Sequence, residues 1–249
     1  MKKTFLSFCL LIFLAVSVQA KTTLSFPSKD GLQITADMYI DRVDKRPLIV
    51  LFHQAGWSRG EYKEIAPRLN KLGFNAMAVD LRAGNKVNSV PNETAKRAKK
   101  AGKRVTYVDA LQDVEAALAY ARTLVGDKIK VVAWGSSYSA ALVLKVAGEH
   151  PELANAVLAF SPGEYFKRMG KPADWIQKSA KLYKRPVFIT SAKTETKRWK
   201  AIFDAIQSKK KIAFIPRSNG NHGSRALWKR NHAHKEYWTA VERFLNGLK

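Results

Sequence analysis

The chain has 249 residues, 46% of them hydrophobic, and carries 44 lysines and arginines against 20 aspartates and glutamates, a net charge of +24. That apolar content at that length excludes a disordered or fibrous chain and suffices for one large core, so a single domain is expected over residues 21–249. A lone cysteine, Cys9, excludes a disulfide framework.

Residues 1–20 differ in kind from the rest: Lys2 and Lys3, an apolar stretch from Phe5 to Val18, then Val18-Gln19-Ala20 as a small-residue cleavage site. This pattern predicts a secretory signal peptide cut before Lys21, with no transmembrane segment left behind and a periplasmic or secreted destination. Cys9 lies inside it. The mature chain then has no cysteine nucleophile and no thiolate metal site.

Taken in order, residues 22–26 and 32–40 read as a hairpin across Lys29-Asp30-Gly31, and 47–53 as a strand buried on both faces. Residues 60–72 read as helix, 74–79 as strand, 107–124 as a long amphipathic helix, 129–134 as strand and 139–149 as helix. Strands follow at 156–160, 187–191 and 212–215, with helices at 199–208 and 234–248 and one short helix around 172–183. Such alternation predicts a mostly parallel sheet of about eight strands flanked by helices.

The stretch Val131-Val-Ala-Trp-Gly135-Ser-Ser137-Tyr-Ser139 joins the fifth strand to a helix through Gly-x-Ser-x-Ser. It has the form of a nucleophile elbow, where small residues two before and two after the serine let strand and helix approach. Ser139 stands where that motif usually has glycine. A competing account is that Ser136 and Ser137 only cap the helix.

With these elements the chain resembles the α/β-hydrolase fold, and within it the dienelactone-hydrolase-like branch, through its compact length, the His53-Gln-Ala-Gly56 turn and the His222-Gly223 pair. The resemblance implies a triad in the order Ser, acid, His, with the acid after the seventh strand and the histidine after the eighth. Glu195 and His222 occupy those places. Ser137, Glu195 and His222 are therefore the candidate catalytic residues, with Glu164 after the sixth strand as the alternative acid and Asp204 a weaker one. Oxyanion donors would be the backbone N–H of Tyr138 and that of Ala55 or Gln54, Gln54 replacing a usual glycine. Dienelactone-cleaving members are associated with a cysteine nucleophile, so the architecture carries over and that substrate does not.

The implied chemistry is hydrolysis of a small-molecule carboxyl ester, lactone or thioester, without cofactor or metal. His232 and His234 lack the carboxylates that would complete a metal site. His53 is expected to support the oxyanion loop, and Asp80 and Arg82 to fix loops. Only a short segment separates the sixth and seventh strands, so no large cap is expected, and Trp57, Tyr165, Phe166 and Trp175 are candidates for a substrate wall. The run Lys96–Arg104 places six cations in nine positions, in a loop before the long helix. It suggests contact with an anionic surface or polymer, while no nucleic-acid motif accompanies it. Nothing in the sequence sets the oligomeric state. Two rivals share the fold: a catalytically silent protein that binds anionic envelope components, and a peptidase, for which no amine-protonating or peptide-recognising site is visible.

Overall fold

A computed structural model describes residues 21–40 and 45–249; the expected signal segment lies outside the described residues. Eight strands form one sheet in the order β1-β2-β4-β3-β5-β6-β7-β8. The strands are β1 (Lys21–Pro27), β2 (Gln33–Tyr39), β3 (Leu48–Phe52), β4 (Asn75–Val79), β5 (Val131–Ser136), β6 (Ala156–Phe160), β7 (Val187–Thr190) and β8 (Lys211–Phe214). From β4 to β8 every pairing is parallel, whereas β1 and β2 form the expected antiparallel hairpin, with β2 also antiparallel to β4. The central strands β3 to β7 are buried along their whole length, which is why they read as unbroken apolar runs.

Helices cover both faces. One face packs α1 (Ile65–Lys71) and α7 (His234–Asn246) against Ile49, Leu51, Trp134 and Phe160. The other packs α2 (Glu93–Lys100), α3 (Leu111–Val125), α4 (Tyr138–Glu149), α5 (Trp175–Ala180) and α6 (Thr196–Ala205) against Val50, Phe52, Ala133 and Val157. Between β6 and β7 lie only a 3-10 turn, Lys167–Met169, and α5, so the sheet's C-terminal edge is not roofed by a separate cap.

Three elements differ from expectation. The single helix expected over 60–72 is a 3-10 turn, Arg59–Tyr62, followed by α1. Gly60 O accepts from Asn88 Nδ2 at 2.9 Å, and Pro67, lacking an N–H, can sit only in the first turn of a helix that starts late. The long helix begins at Leu111 because Thr106 and Asp109 close a turn of their own, Thr106 Oγ1 donating to Asp109 Oδ2 at 2.6 Å. The basic run is not a loop, for Lys96 to Lys100 lie in α2. Its small apolar face, Ala95 and Ala98, is buried, and was hidden in the sequence by the density of charge around it.

Asn92 starts that helix. Its Oδ1 accepts the Ala95 N–H at 2.7 Å, while its Nδ2 donates to Leu81 O at 2.9 Å and Trp57 O at 3.0 Å. One buried amide thus caps α2 and joins it to the loops after β3 and β4. Asn92→Ala should remove the cap and leave the buried Leu81 carbonyl short of a donor, costing about 2–4 kcal/mol in the denaturant unfolding free energy.

Candidate active site

Ser137 stands between β5 and α4 with φ +61° and ψ −121°. Its N–H donates to Phe160 O of β6 at 2.7 Å. The left-handed backbone turns the chain sharply from strand to helix, and the two can meet so closely only without bulk beneath them. A Cβ on Gly135 would lie 2.4 Å from Ser139 O and 2.5 Å from the Ala140 Cα. Ser139, by contrast, uses its hydroxyl: Oγ accepts the Ser136 N–H at 2.8 Å and has Phe52 O within donor reach at 2.8 Å. The unusual fifth residue of the motif therefore ties α4 to both β5 and β3. Neither Ser136 nor Ser137 caps the helix through its side chain.

The loops after β7 and β8 bring Glu195 and His222 together, with His222 Nδ1 2.6 Å from Glu195 Oε1. Glu195 Oε2 accepts from Ser161 Oγ at 2.7 Å, and that Oγ accepts the Gly223 N–H at 2.9 Å. Lys193 N–H donates to Asn219 O at 2.9 Å, a second tie between the two loops. Burial opposes ionisation of Glu195, but bonds from His222 and Ser161, with the Arg198 charge nearby, outweigh it and hold the carboxyl below its usual range. Gly223, at φ +69°, could carry no side chain, since a Cβ would meet Ser136 Oγ at 2.5 Å and Gln54 Oε1 at 2.6 Å. The histidine loop consequently rests on the back of the elbow. Ser137 and His222 make no hydrogen bond to one another among the described residues; contacts of this kind often tighten only with substrate.

The loop that carries the candidate oxyanion donors follows β3. Gln54 N–H donates to Glu61 Oε2 at 2.7 Å and is thereby engaged. Ala55 N–H and Tyr138 N–H have no acceptor among the described residues, so of the two candidates Ala55 is the one with a donor to offer. His53 supports this loop as expected: Nε2 accepts the Leu81 N–H at 2.9 Å, which puts the ring proton on Nδ1, facing Gln54 O at 2.8 Å. Complete burial lowers its pKa to about 4, so the ring stays neutral.

The other candidates have structural tasks. Glu164 caps α5, its carboxylate accepting the N–H of Ile176 at 3.0 Å and of Gln177 at 2.8 Å, so it does not face His222 as the alternative acid would. Asp204 pairs with Lys200 on the surface of α6. Asp80 accepts from Arg59 Nη1 at 2.6 Å, and Arg82 pairs with Asp113 at 2.7 Å and Asp30 at 2.9 Å. His234 bonds Asn231 O, and no group of three metal-ligating side chains occurs among the described residues. Trp57 stacks on Trp228 at 5.2 Å between ring centres, and Phe166 is buried against Trp175, whereas the Tyr165 hydroxyl bonds Ser161 O at 2.6 Å and also faces Ser137.

Sequence reasoning missed Ser161 and Glu61. Ser161, at φ +56° directly after β6, signals itself only by that backbone. Glu61 lies in a segment that reads as helix, yet it is fully buried, with Oε1 accepting from Ser136 Oγ at 2.7 Å.

A parallel sheet with a serine on a left-handed turn after β5, and an acid–histidine pair on the loops after β7 and β8, defines an α/β hydrolase. The chain belongs to the dienelactone hydrolase family, whose model matches residues 34–213. It is accordingly a hydrolase of the ester-cleaving kind. No curated protein matches it. Among solved structures it is similar to a dienelactone hydrolase from Anabaena variabilis, at 15% identity and a TM-score of 0.68 over 92% of this chain and 97% of that one. An esterase from Pyrococcus furiosus gives 16% and 0.69 over 91% and 92%. Esterase 2 of Thermogutta terrifontis, phosphoramylated by tabun, gives 18% and 0.64 over 92% and 94%.

Burial raises the Glu61 carboxyl from an ordinary 4.5 to about 7, against the lowering effect of its bonds from Ser136 and Gln54. The folded state therefore binds this proton more tightly than the unfolded one. The stability linked to Glu61 is complete below pH 4.5 and is lost as pH rises toward about 7. Glu61→Gln, which cannot titrate, should flatten the unfolding free energy across that window in a denaturant series run at several pH values.

Proposed function

We propose that the protein is a serine hydrolase cleaving small-molecule carboxyl esters, lactones or thioesters through an acyl-enzyme on Ser137. The observation that carries this reading is the 2.6 Å contact of His222 with Glu195, on loops packed against the serine turn. A serine hydroxyl is a weak nucleophile without a base beside it. In this reading His222 takes the Ser137 proton through Nε2 as Oγ attacks the carbonyl carbon. Glu195 holds the imidazole by Nδ1 and stabilises the imidazolium that forms. The oxyanion of the tetrahedral intermediate is met by the N–H groups of Tyr138 and Ala55. Collapse expels the alcohol or thiol, which leaves with the proton from His222, and water then repeats the sequence to release the acid.

The organophosphorus adduct on the Thermogutta terrifontis esterase suggests a fluorophosphonate as the probe. Ser137→Ala should abolish covalent labelling and lower hydrolysis of p-nitrophenyl acetate by about three orders of magnitude or more, with circular dichroism unchanged. Glu164→Ala, which removes only the α5 cap, should label normally. Labelling that survives Ser137→Ala would show the nucleophile to be another residue.

Export to the periplasm or medium belongs to the same proposal, resting on the composition of residues 1–20, as does attachment to an anionic surface through the basic run. Within that run Lys96 pairs with Glu93, Lys103 with Asp30 and Arg104 with Asp109, and Arg97 bonds Thr35 Oγ1. Lys99 and Lys100 are exposed and have no ion-pair partner among the described residues. Changing both to glutamine should weaken sedimentation with vesicles rich in phosphatidylglycerol at low salt, and leave p-nitrophenyl acetate turnover unaltered, because screening over about 8 Å at physiological salt isolates a distant site.

A further inference from the structure

Glu61 touches each of the loops that frame the serine turn. Its Oε2 accepts the Gln54 N–H of the oxyanion loop at 2.7 Å, and its Oε1 accepts from Ser136 Oγ, on the residue before Ser137, at 2.7 Å. The same Ser136 Oγ accepts the Ser224 N–H, two residues beyond His222, at 2.9 Å. The backbone of this segment is fixed as well. Glu61 N–H donates to Ser58 O at 3.0 Å, Glu61 O accepts the Trp228 Nε1–H at 2.8 Å, and the neighbouring Tyr62 hydroxyl donates to Phe52 O at the end of β3 at 2.6 Å. The carboxylate is wholly buried, and a carboxyl in such a place needs a structural return for the cost of leaving water.

Resting on the assignment of Ser137 and its oxyanion donors, we infer that Glu61 is a positioning residue for the transition state. By drawing the Gln54 N–H inward it sets the direction of the next peptide group, so that the Ala55 N–H is presented beside that of Tyr138. Through Ser136 it fixes the depth of the elbow against the histidine loop. A donor so aligned acts on the charge that develops in the transition state far more than on the neutral ground-state ester. An acceptor for the Gln54 N–H and a second polar atom in reach of Ser136 Oγ are required at one spacing, which no shorter acid supplies.

The test compares three variants at pH 8. Glu61→Met fills the space without an acceptor; Glu61→Asp keeps the charge but is one methylene too short to reach both donors. Glu61→Gln retains a carbonyl for the Gln54 N–H. In correctly folded Glu61→Met and Glu61→Asp, kcat for p-nitrophenyl acetate should fall by about 10- to 100-fold, short of losing a whole oxyanion donor, with KM within about twofold. Affinity for a phenylboronic acid, whose tetrahedral adduct carries the same charge, should fall by a similar factor. Glu61→Gln should restore most of both. Folded Glu61→Met with wild-type kcat and boronate affinity overturns the inference, as does a loss that Glu61→Gln leaves uncorrected. If the methionine variant does not fold, wild-type constants in Glu61→Asp overturn it alone. Failure of the wild-type protein to react with fluorophosphonate would instead remove the assignment of Ser137, and this inference with it.

Discussion

The left-handed backbone at Ser137 is the constraint on which the site depends. Such a conformation at a residue with a β-carbon costs on the order of 1–3 kcal/mol and persists only where the surroundings over-determine it. Here they do. The Ser137 N–H is held by Phe160 of β6, the Ser139 hydroxyl holds α4 to β5 and β3, and Gly135 leaves room for the crossing. Because β5 lies between β3 and β6, the turn inherits the rigidity of the sheet's centre, and every other group of the site is placed relative to it.

Buried acids do a second job in a chain so rich in cations. Asp37, Asp80 and Asp113 are almost wholly buried, and each accepts from an arginine or lysine drawn inward with it. The pairs join elements distant in sequence: Arg59 bridges Asp37 of β2 and Asp80 after β4, while Arg82 bridges Asp30 of the hairpin turn and Asp113 of α3. Breaking one partner of a pair of this kind would strand the other, at about 3–5 kcal/mol. Among the described residues five acids are buried, Asp37, Glu61, Asp80, Asp109 and Asp113, against three basic residues, Arg59, Arg82 and Lys145, so burial leaves the outer surface slightly more cationic than the net charge alone.

The fold was legible because the parallel strands are buried on both faces and the turns between them carry small residues. The Glu195–His222 contact is legible because the chain order implied by the resemblance puts these residues after the seventh and eighth strands, not because either sits in a distinctive local pattern. Glu61, Ser161 and Asn92 could not be read in this way. Their roles lie in hydrogen bonds to backbone groups distant in sequence, and a glutamate in a helical stretch looks the same whether it faces water or the core. The choice between Ala55 and Gln54 was open for a related reason, since it turns on where Glu61 sits. Helix α2 is obscured by its own charge, and nothing in the sequence shows that the carboxylate of Glu164, the alternative acid, sits on the α5 N-terminus.

The hydrogen bonds that link Gln54, Glu61, Ser136 and Ser224 also shape how this sequence can drift. Ser136 Oγ both donates and accepts inside the protein, and Glu61 receives two donors there, so replacing either residue alone leaves a polar group stranded in the core. Divergence at these positions must proceed by paired exchange, or through a water that takes over the missing role. Homologues should therefore fall into a few discrete solutions at the two sites with little between them, even where the surrounding loops have changed freely.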